Sequence, residues 1–343
     1  MFRRPKLPIS PESGLSQPHR SSRLKGVLFG SCLALVVLVI GGVALVIFGL
    51  FGSFGSSSSQ AIDEQTVSGE GTDKVAVIPI HGPIGLTSEL TTSGSEVTDE
   101  SIVRAMLKKA AEDRDVKAIV LDIDSPGGGV VASRKIYEAL KVFSKPVVAA
   151  YDGNVAASGA VYLSMGADKI VAYPDTITGS IGVIAEFLDV SELLQTYGVH
   201  FNTITTGQFK DIGSSTRPMT DAERTMIQSL LGESYDRFIT AIAQSRQLSV
   251  EHVRAIADGR IFSGTTAKSL GLVDELGDRT RAEALASELA GISQAQIVEY
   301  SSQSGFGSLL SFLQGKVGPL ERFVQLFSHD QASTSWRLAY RLN

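Results

Sequence analysis

The chain has 343 residues, 43% of them apolar, with a formal net charge of −5 and no basic patch that would favour nucleic acid. Its single cysteine, Cys32, excludes an intramolecular disulfide and a cysteine-rich metal site. The five histidines, His19, His81, His200, His252 and His329, show no metal-ligand spacing, so no metal and no other cofactor is expected.

Residues 1–25 form a basic tail, in which Arg3, Arg4, Lys6, Arg20, Arg23 and Lys25 stand against one acidic residue, Glu12. Residues 26–52 carry no charge and are rich in Leu, Val and Ile, a stretch of 27 positions. A helix needs only about 20 to cross a bilayer core. A secretory leader would have a shorter apolar region and a small-residue cleavage site after it, so an uncleaved transmembrane helix is expected. Positive charge stays cytoplasmic, which puts the N-terminus inside and everything after Gly52 outside. Residues 53–73, rich in Ser, Gly, Glu and Gln, read as a flexible linker.

A folded domain is expected over residues 74–295. Val75–Ile80 is a short apolar strand ended by Gly82-Pro83. Thr98 is placed to cap a helix whose first turn carries Asp99 and Glu100 and whose apolar face is Ile102, Val103, Met106, Leu107 and Ala110. Ala118–Ile123 is a strand broken by Ser125-Pro126-Gly127-Gly128-Gly129, and a helix follows to about Phe143. Val147–Tyr151 leads into a small-residue turn, then a helix to Met165 and a strand at Lys169–Tyr173. This β-α-β-α-β alternation predicts an α/β fold with a mostly parallel sheet covered by helices. A helix near Ser191–Tyr197, a strand at Phe201–Thr205 and a helical C-terminal part beginning near residue 220 complete the pattern. Residues 296–343 form a C-terminal tail. Its apolar residues, among them Leu309, Phe312, Leu320 and Phe323, suit a terminal helix packed on the domain, an amphipathic helix touching membrane or a partner subunit, or disorder.

The chemistry gathers in the loops. Ser158, in Ala156-Ala157-Ser158-Gly159-Ala160, sits on a tight turn where a nucleophile is well placed. Lys210, in Gly207-Gln208-Phe209-Lys210-Asp211, can serve as its base if desolvation lowers a pKa that is ordinarily about 10.4. Asp211 would oppose that shift unless it points elsewhere. Ser180 is placed to orient the lysine, and Gly128 and Gly129 are candidate oxyanion-hole donors, with no basis for choosing between them. A Ser/His/Asp triad using His200 with Asp122 or Asp124 is weaker, because His200 opens a strand without such partners beside it. Alone, each element has a plainer reading: a turn serine, a solvated lysine, a glycine loop that could cradle phosphate.

Together, their order resembles the bacterial signal peptide peptidase family, also called protease IV, of the Clp-protease/crotonase-like fold. The resemblance covers about residues 74–277. It is carried by Asp124-Ser125-Pro126-Gly127-Gly128-Gly129, Ala156-Ala157-Ser158-Gly159, Thr178-Gly179-Ser180-Ile181-Gly182-Val183, Gly207 through Lys210-Asp211-Ile212, Asp258 through Gly264, and Gly271 through Gly277. It implies that Ser158 is the nucleophile, Lys210 the general base and Ser180 the serine that contacts the lysine. With one copy of the domain, the chain is similar to the short form. That form implies a homo-oligomeric ring in which the serine of one subunit meets the lysine of its neighbour, with no short Ser158–Lys210 contact inside one chain. The implied substrates are signal-peptide remnants and other apolar peptides at the outer face of the bacterial cytoplasmic membrane. The family commonly has Gly-Gly-Tyr-Tyr after the nucleophile, where this chain has Gly159-Ala160-Val161-Tyr162. A crotonase-type acyl-CoA enzyme is the alternative of related fold, but the expected topology puts the domain away from a cytoplasmic cofactor. A catalytically silent membrane scaffold is the non-enzyme alternative; substituting Ser158 or Lys210 would change nothing in it.

Overall fold

The computed structural model describes residues 62–85 and 97–302, and the backbone of 339–341. β1 (Ile62–Ser68) turns through Gly69 and Gly71 into β2 (Lys74–His81). β3 (Ile84–Gly85) and β4 (Thr98–Asp99) precede α1 (Glu100–Glu112), which Asp99 caps by accepting the Ser101 N–H at 2.7 Å in place of the expected Thr98, whose hydroxyl donates to the His81 carbonyl at 2.7 Å. Next come β5 (Val116–Asp124), β6 (Gly127–Gly129), α2 (Val130–Lys141), β7 (Val147–Tyr151), β8 (Val155–Ala157) and α3 (Gly159–Ser164). β9 (Lys169–Ala172), β10 (Ile177–Gly179), α4 (Ser191–Thr196), α5 (Asp221–Arg246) and α6 (Val250–Ile256) follow. β11 (Ile261–Ser263), α7 (Gly264–Ser269), β12 (Glu275–Leu276), α8 (Arg279–Ala290), β13 (Gln296–Ser302) and β14 (Ala339–Arg341) complete the described elements.

The main sheet has seven strands in the order β1-β13-β2-β5-β7-β9-β12, and every pairing except β1 with β13 is parallel. Side chains alternate across it. Ala76, Ile78, Ile80, Ile119, Leu121 and Ile123 pack with Val103, Met106 and Ile136 of α1 and α2 on one face. Val75, Val77, Val120, Val148 and Val171 pack with Ala282, Leu285 and Ala286 of α8 on the other. A parallel sheet covered on both faces needs strands apolar on both sides, which is why β2 and β5 read as near-continuous apolar runs. Two small sheets sit beyond it: β11-β10-β8 and β14-β6-β3-β4.

Four further sequence expectations differ from this architecture. Residues 62–68 are not linker but an edge strand; apart from Ile62 its side chains are exposed, so it shows no apolar alternation and pairs through its backbone with β13. Residues 296–302 are not tail: they run between β1 and β2 and bury Ile297, Val298 and Tyr300. Gly127–Gly129 forms a strand rather than a loop, because its register is set by β3 and β14 and no side-chain pattern announces it. No strand forms at residues 201–205, which are exposed and lack a pairing partner among the described residues. The basic tail, the apolar stretch 26–52 and residues 303–338 lie outside the described residues. Among those described, no helix is long and apolar enough to cross a membrane.

Candidate active site

Ser158 is delivered by β8 and stopped by α3. β8 lies parallel to β10 with Ala157 opposite Gly179, so Ser158 and Ser180 are the next residues out along two adjacent strands. The Ser158 N–H donates to the Gly179 carbonyl at 2.8 Å, and the Ser158 carbonyl accepts the Tyr162 N–H at 2.9 Å. These bonds hold Ser158 at φ 56°, ψ −112°. A non-glycine residue there carries about 1–3 kcal/mol of strain, which surrounding structure must offset. Ser125 braces the turn from below. Its N–H donates to the Val155 carbonyl at 2.7 Å, its carbonyl accepts the Ala157 N–H at 3.0 Å, and its hydroxyl accepts the Gly127 N–H at 3.1 Å.

The Ser158 side chain is buried, at 1% exposure, and its Oγ has no hydrogen-bond partner among the described residues. An unpaired buried hydroxyl costs about 1–3 kcal/mol. Ser180 is also buried and also in the left-handed region, at φ 49°, with its N–H on the Arg260 carbonyl at 2.8 Å. Gly179 before it stands at φ +86°, and a Cβ there would lie 2.8 Å from the Arg260 carbonyl oxygen. Only glycine lets β10 approach β11 and still turn into Ser180.

The glycine strand forms a second wall. Gly128 pairs with Ile84, and a Cβ on it would fall 2.0 Å from the Ile84 carbonyl oxygen. The other edge of β6 carries β14 antiparallel, with Ala339 opposite Gly129, Tyr340 opposite Gly128 and Arg341 opposite Gly127. An extended segment thus lies along this edge, and it also approaches α3.

Lys210 is elsewhere in its contacts. It lies exposed in a tight turn, where its N–H donates to the Gly207 carbonyl at 3.1 Å. Among the described residues its ammonium makes no ion pair or hydrogen bond, and none joins it to Ser158. Asp211 does face away: Arg217 grips its carboxylate through Nε to Oδ2 and Nη2 to Oδ1, both 2.8 Å. The same guanidinium holds Glu223 in the first turn of α5, through Nη1 to Oε2 at 2.9 Å and Nη2 to Oε1 at 2.5 Å. Arg217 keeps the Glu223 carboxyl down at about 2 and the Asp211 carboxyl below the usual carboxylate range. Sequence reading did not single out Ser125, Arg217 or Glu223. A signal for the last was present, because Thr220-x-x-Glu223 is a capping box, formed here in both directions.

The model of peptidase family S49 matches residues 139–293, and the model of Clp protease matches residues 85–178. A putative signal peptide peptidase of Enterococcus faecium is 34% identical over 264 residues, covering 76% of each chain. The chain belongs to peptidase family S49. A putative protease of Synechocystis is 41% identical over 210 residues, 61% of this chain and 75% of that one. Protease 4 of Salmonella typhi is 39% identical over 202 residues, 58% of this chain and 32% of its own length. This S49 chain is a serine peptidase with a Clp-protease-like α/β fold and a mostly parallel sheet. The two matched regions overlap over residues 139–178, which include Ser158; Lys210 falls in the S49 region alone.

Proposed function

We propose that this peptidase is a membrane-anchored serine endopeptidase in which Ser158 is the nucleophile and Lys210 of a neighbouring subunit the general base. The observation that carries the reading is the buried, unpartnered Ser158 Oγ on a strained turn beside Ser180. Uncharged Lys210 Nζ takes the hydroxyl proton as Oγ bonds to the substrate carbonyl carbon. The carbonyl π electrons move to oxygen, where N–H groups at Gly128 or Gly129 stabilise the charge. Nζ then returns the proton to the leaving amine as the C–N bond breaks, and water releases the acyl group by the same route in reverse. Ser180 orients Nζ by a hydrogen bond.

Support for the shared site comes from the segment that carries Lys210. Leu188 is 72% exposed, Tyr197 77%, Phe201 60% and Ile204 97%, an apolar surface that a neighbouring subunit would cover. Burial at such a contact is also what would lower the lysine pKa. β14 pairs along one edge of β6, and an extended substrate peptide would take that same place. Signal-peptide remnants and other apolar peptides are the proposed substrates, in keeping with the name of the Enterococcus relative. The proposed setting is the bacterial cytoplasmic membrane, with residues 1–25 inside, 26–52 spanning and the peptidase domain outside.

Ser158→Ala and Lys210→Ala, purified in detergent as the full chain, test the reading on a fluorogenic apolar peptide. Each is expected to lower kcat/KM at least about a thousandfold. Retention of wild-type turnover by either variant would reject the residue's role.

A further inference from the structure

We propose that Arg217 is a positioning residue for Lys210: it sequesters the Asp211 carboxylate beside the lysine and fastens the lysine's turn to α5. This rests on Lys210 being the base and explains how a lysine next to an aspartate can lose its proton.

The geometry is a double fork. One guanidinium edge takes both oxygens of Asp211, while Nη1 and Nη2 take both oxygens of Glu223. Nη2 also meets the Asp211 main-chain carbonyl at 3.3 Å, so side chain and backbone of the residue after Lys210 are both held. Glu223 is a firm anchor. Its side chain is 1% exposed, it accepts the Thr220 N–H at 2.8 Å, and it stands on a helix of 26 residues. The capping box requires only Thr220 and Glu223, so helix capping does not account for Arg217 or Asp211. Two planar carboxylates gripped at once require a guanidinium; an ammonium cannot fork.

Among the charges around the turn, Asp211 is the one adjacent to Lys210 in the chain. At the start of α5 the charged groups are Asp221, Glu223 and Arg224; Glu186 and Asp189 precede α4, and Glu192 lies in its first turn. Glu223 is bound to Arg217, and Asp189 accepts the Ser191 N–H at 2.9 Å. Released from Arg217, the Asp211 carboxylate could swing toward the adjacent ammonium. An opposite charge within about 4–6 Å raises a lysine pKa by about 1–3 units. A raised pKa leaves less neutral base, so the acid limb of the activity profile moves to higher pH.

The test is the pH dependence of kcat/KM for the assembled full chain on a fluorogenic apolar peptide. Arg217→Ala is combined with Glu223→Gln, which keeps the capping box and leaves no buried unpaired carboxylate. That double variant is expected to shift the acid limb upward by about one unit or more, with at least a roughly tenfold loss at neutral pH. Adding Asp211→Asn is expected to move the limb back, although the clamp is still missing. Arg217→Lys, the milder change for the case in which the double variant fails to assemble, is expected to give a smaller upward shift. An unshifted limb in whichever variant assembles overturns the proposal. So does a triple variant as impaired as the double, which would make Arg217 a structural strut only. Lys210→Met at wild-type activity would remove the base itself and this inference with it, whereas an inactive Lys210→Met with an unshifted Arg217 variant removes the inference alone.

Discussion

At Ser158 the chain holds a serine where backbone sterics favour glycine, and the surrounding hydrogen bonds explain how. The cost of φ 56° is met by bonds from Gly179 and Tyr162 and by the Ser125 brace. Gly179 is the weakest point in this arrangement, since a methyl there meets both Phe262 and the Arg260 carbonyl. Gly179→Ala is expected to destabilise the domain by about 1–3 kcal/mol and to lower kcat more than it raises KM, measured by denaturant unfolding and steady-state kinetics. Unchanged kcat with an intact fold would show that the Ser158 turn tolerates movement of β10. The small-residue run around Ser158 and the turn out of β10 at Gly179-Ser180 are legible in the sequence, because glycine beside serine marks a special backbone. Arg217 was not legible, because its two partners lie six residues away on either side and nothing in the local pattern marks a guanidinium bridge.

The elements divide by how strongly their side chains advertise burial. β7 is apolar throughout, β2 and β5 are apolar apart from Lys74, His81, Lys117, Asp122 and Asp124, α1 and α5 carry side-chain caps, and α1 and α2 carry apolar stripes, so these elements are legible in the sequence. β6 is three glycines, and β1 has an exposed face, so neither shows a pattern; only pairing defines them. β13 lies inside the main sheet and not in the tail expected for residues 296–343. Burying Ile297, Val298 and Tyr300 is worth about 1.5–3 kcal/mol per side chain, a large part of a domain stability of about 5–15 kcal/mol. A chain ending at Ala295 is therefore expected to lose its cooperative thermal transition, while one ending at Ser302 keeps it. Equal melting of the two would show that β13 contributes little.

For the whole molecule, the proposal is that a lysine exposed in one chain serves a serine buried in its neighbour. The proposed ring makes a simple prediction. Ser158→Ala and Lys210→Ala chains, each inactive, regain activity when dissociated, mixed and reassembled, because some sites then pair an intact serine with an intact lysine. With random mixing about a quarter of sites would be complete. No recovery in rings shown to contain both chains would place each dyad within one subunit. A contact between subunits is not legible in one sequence except through resemblance, since spacing along a chain carries no information about a neighbour.

The most direct measurement is covalent labelling of the assembled protein with a serine-reactive phosphonate, mapped by peptide mass spectrometry, in wild type and Lys210→Met. The account predicts a single adduct on Ser158 in wild type and a labelling rate reduced at least about a hundredfold in Lys210→Met. An adduct on any other serine, or equal rates in the two proteins, would contradict it.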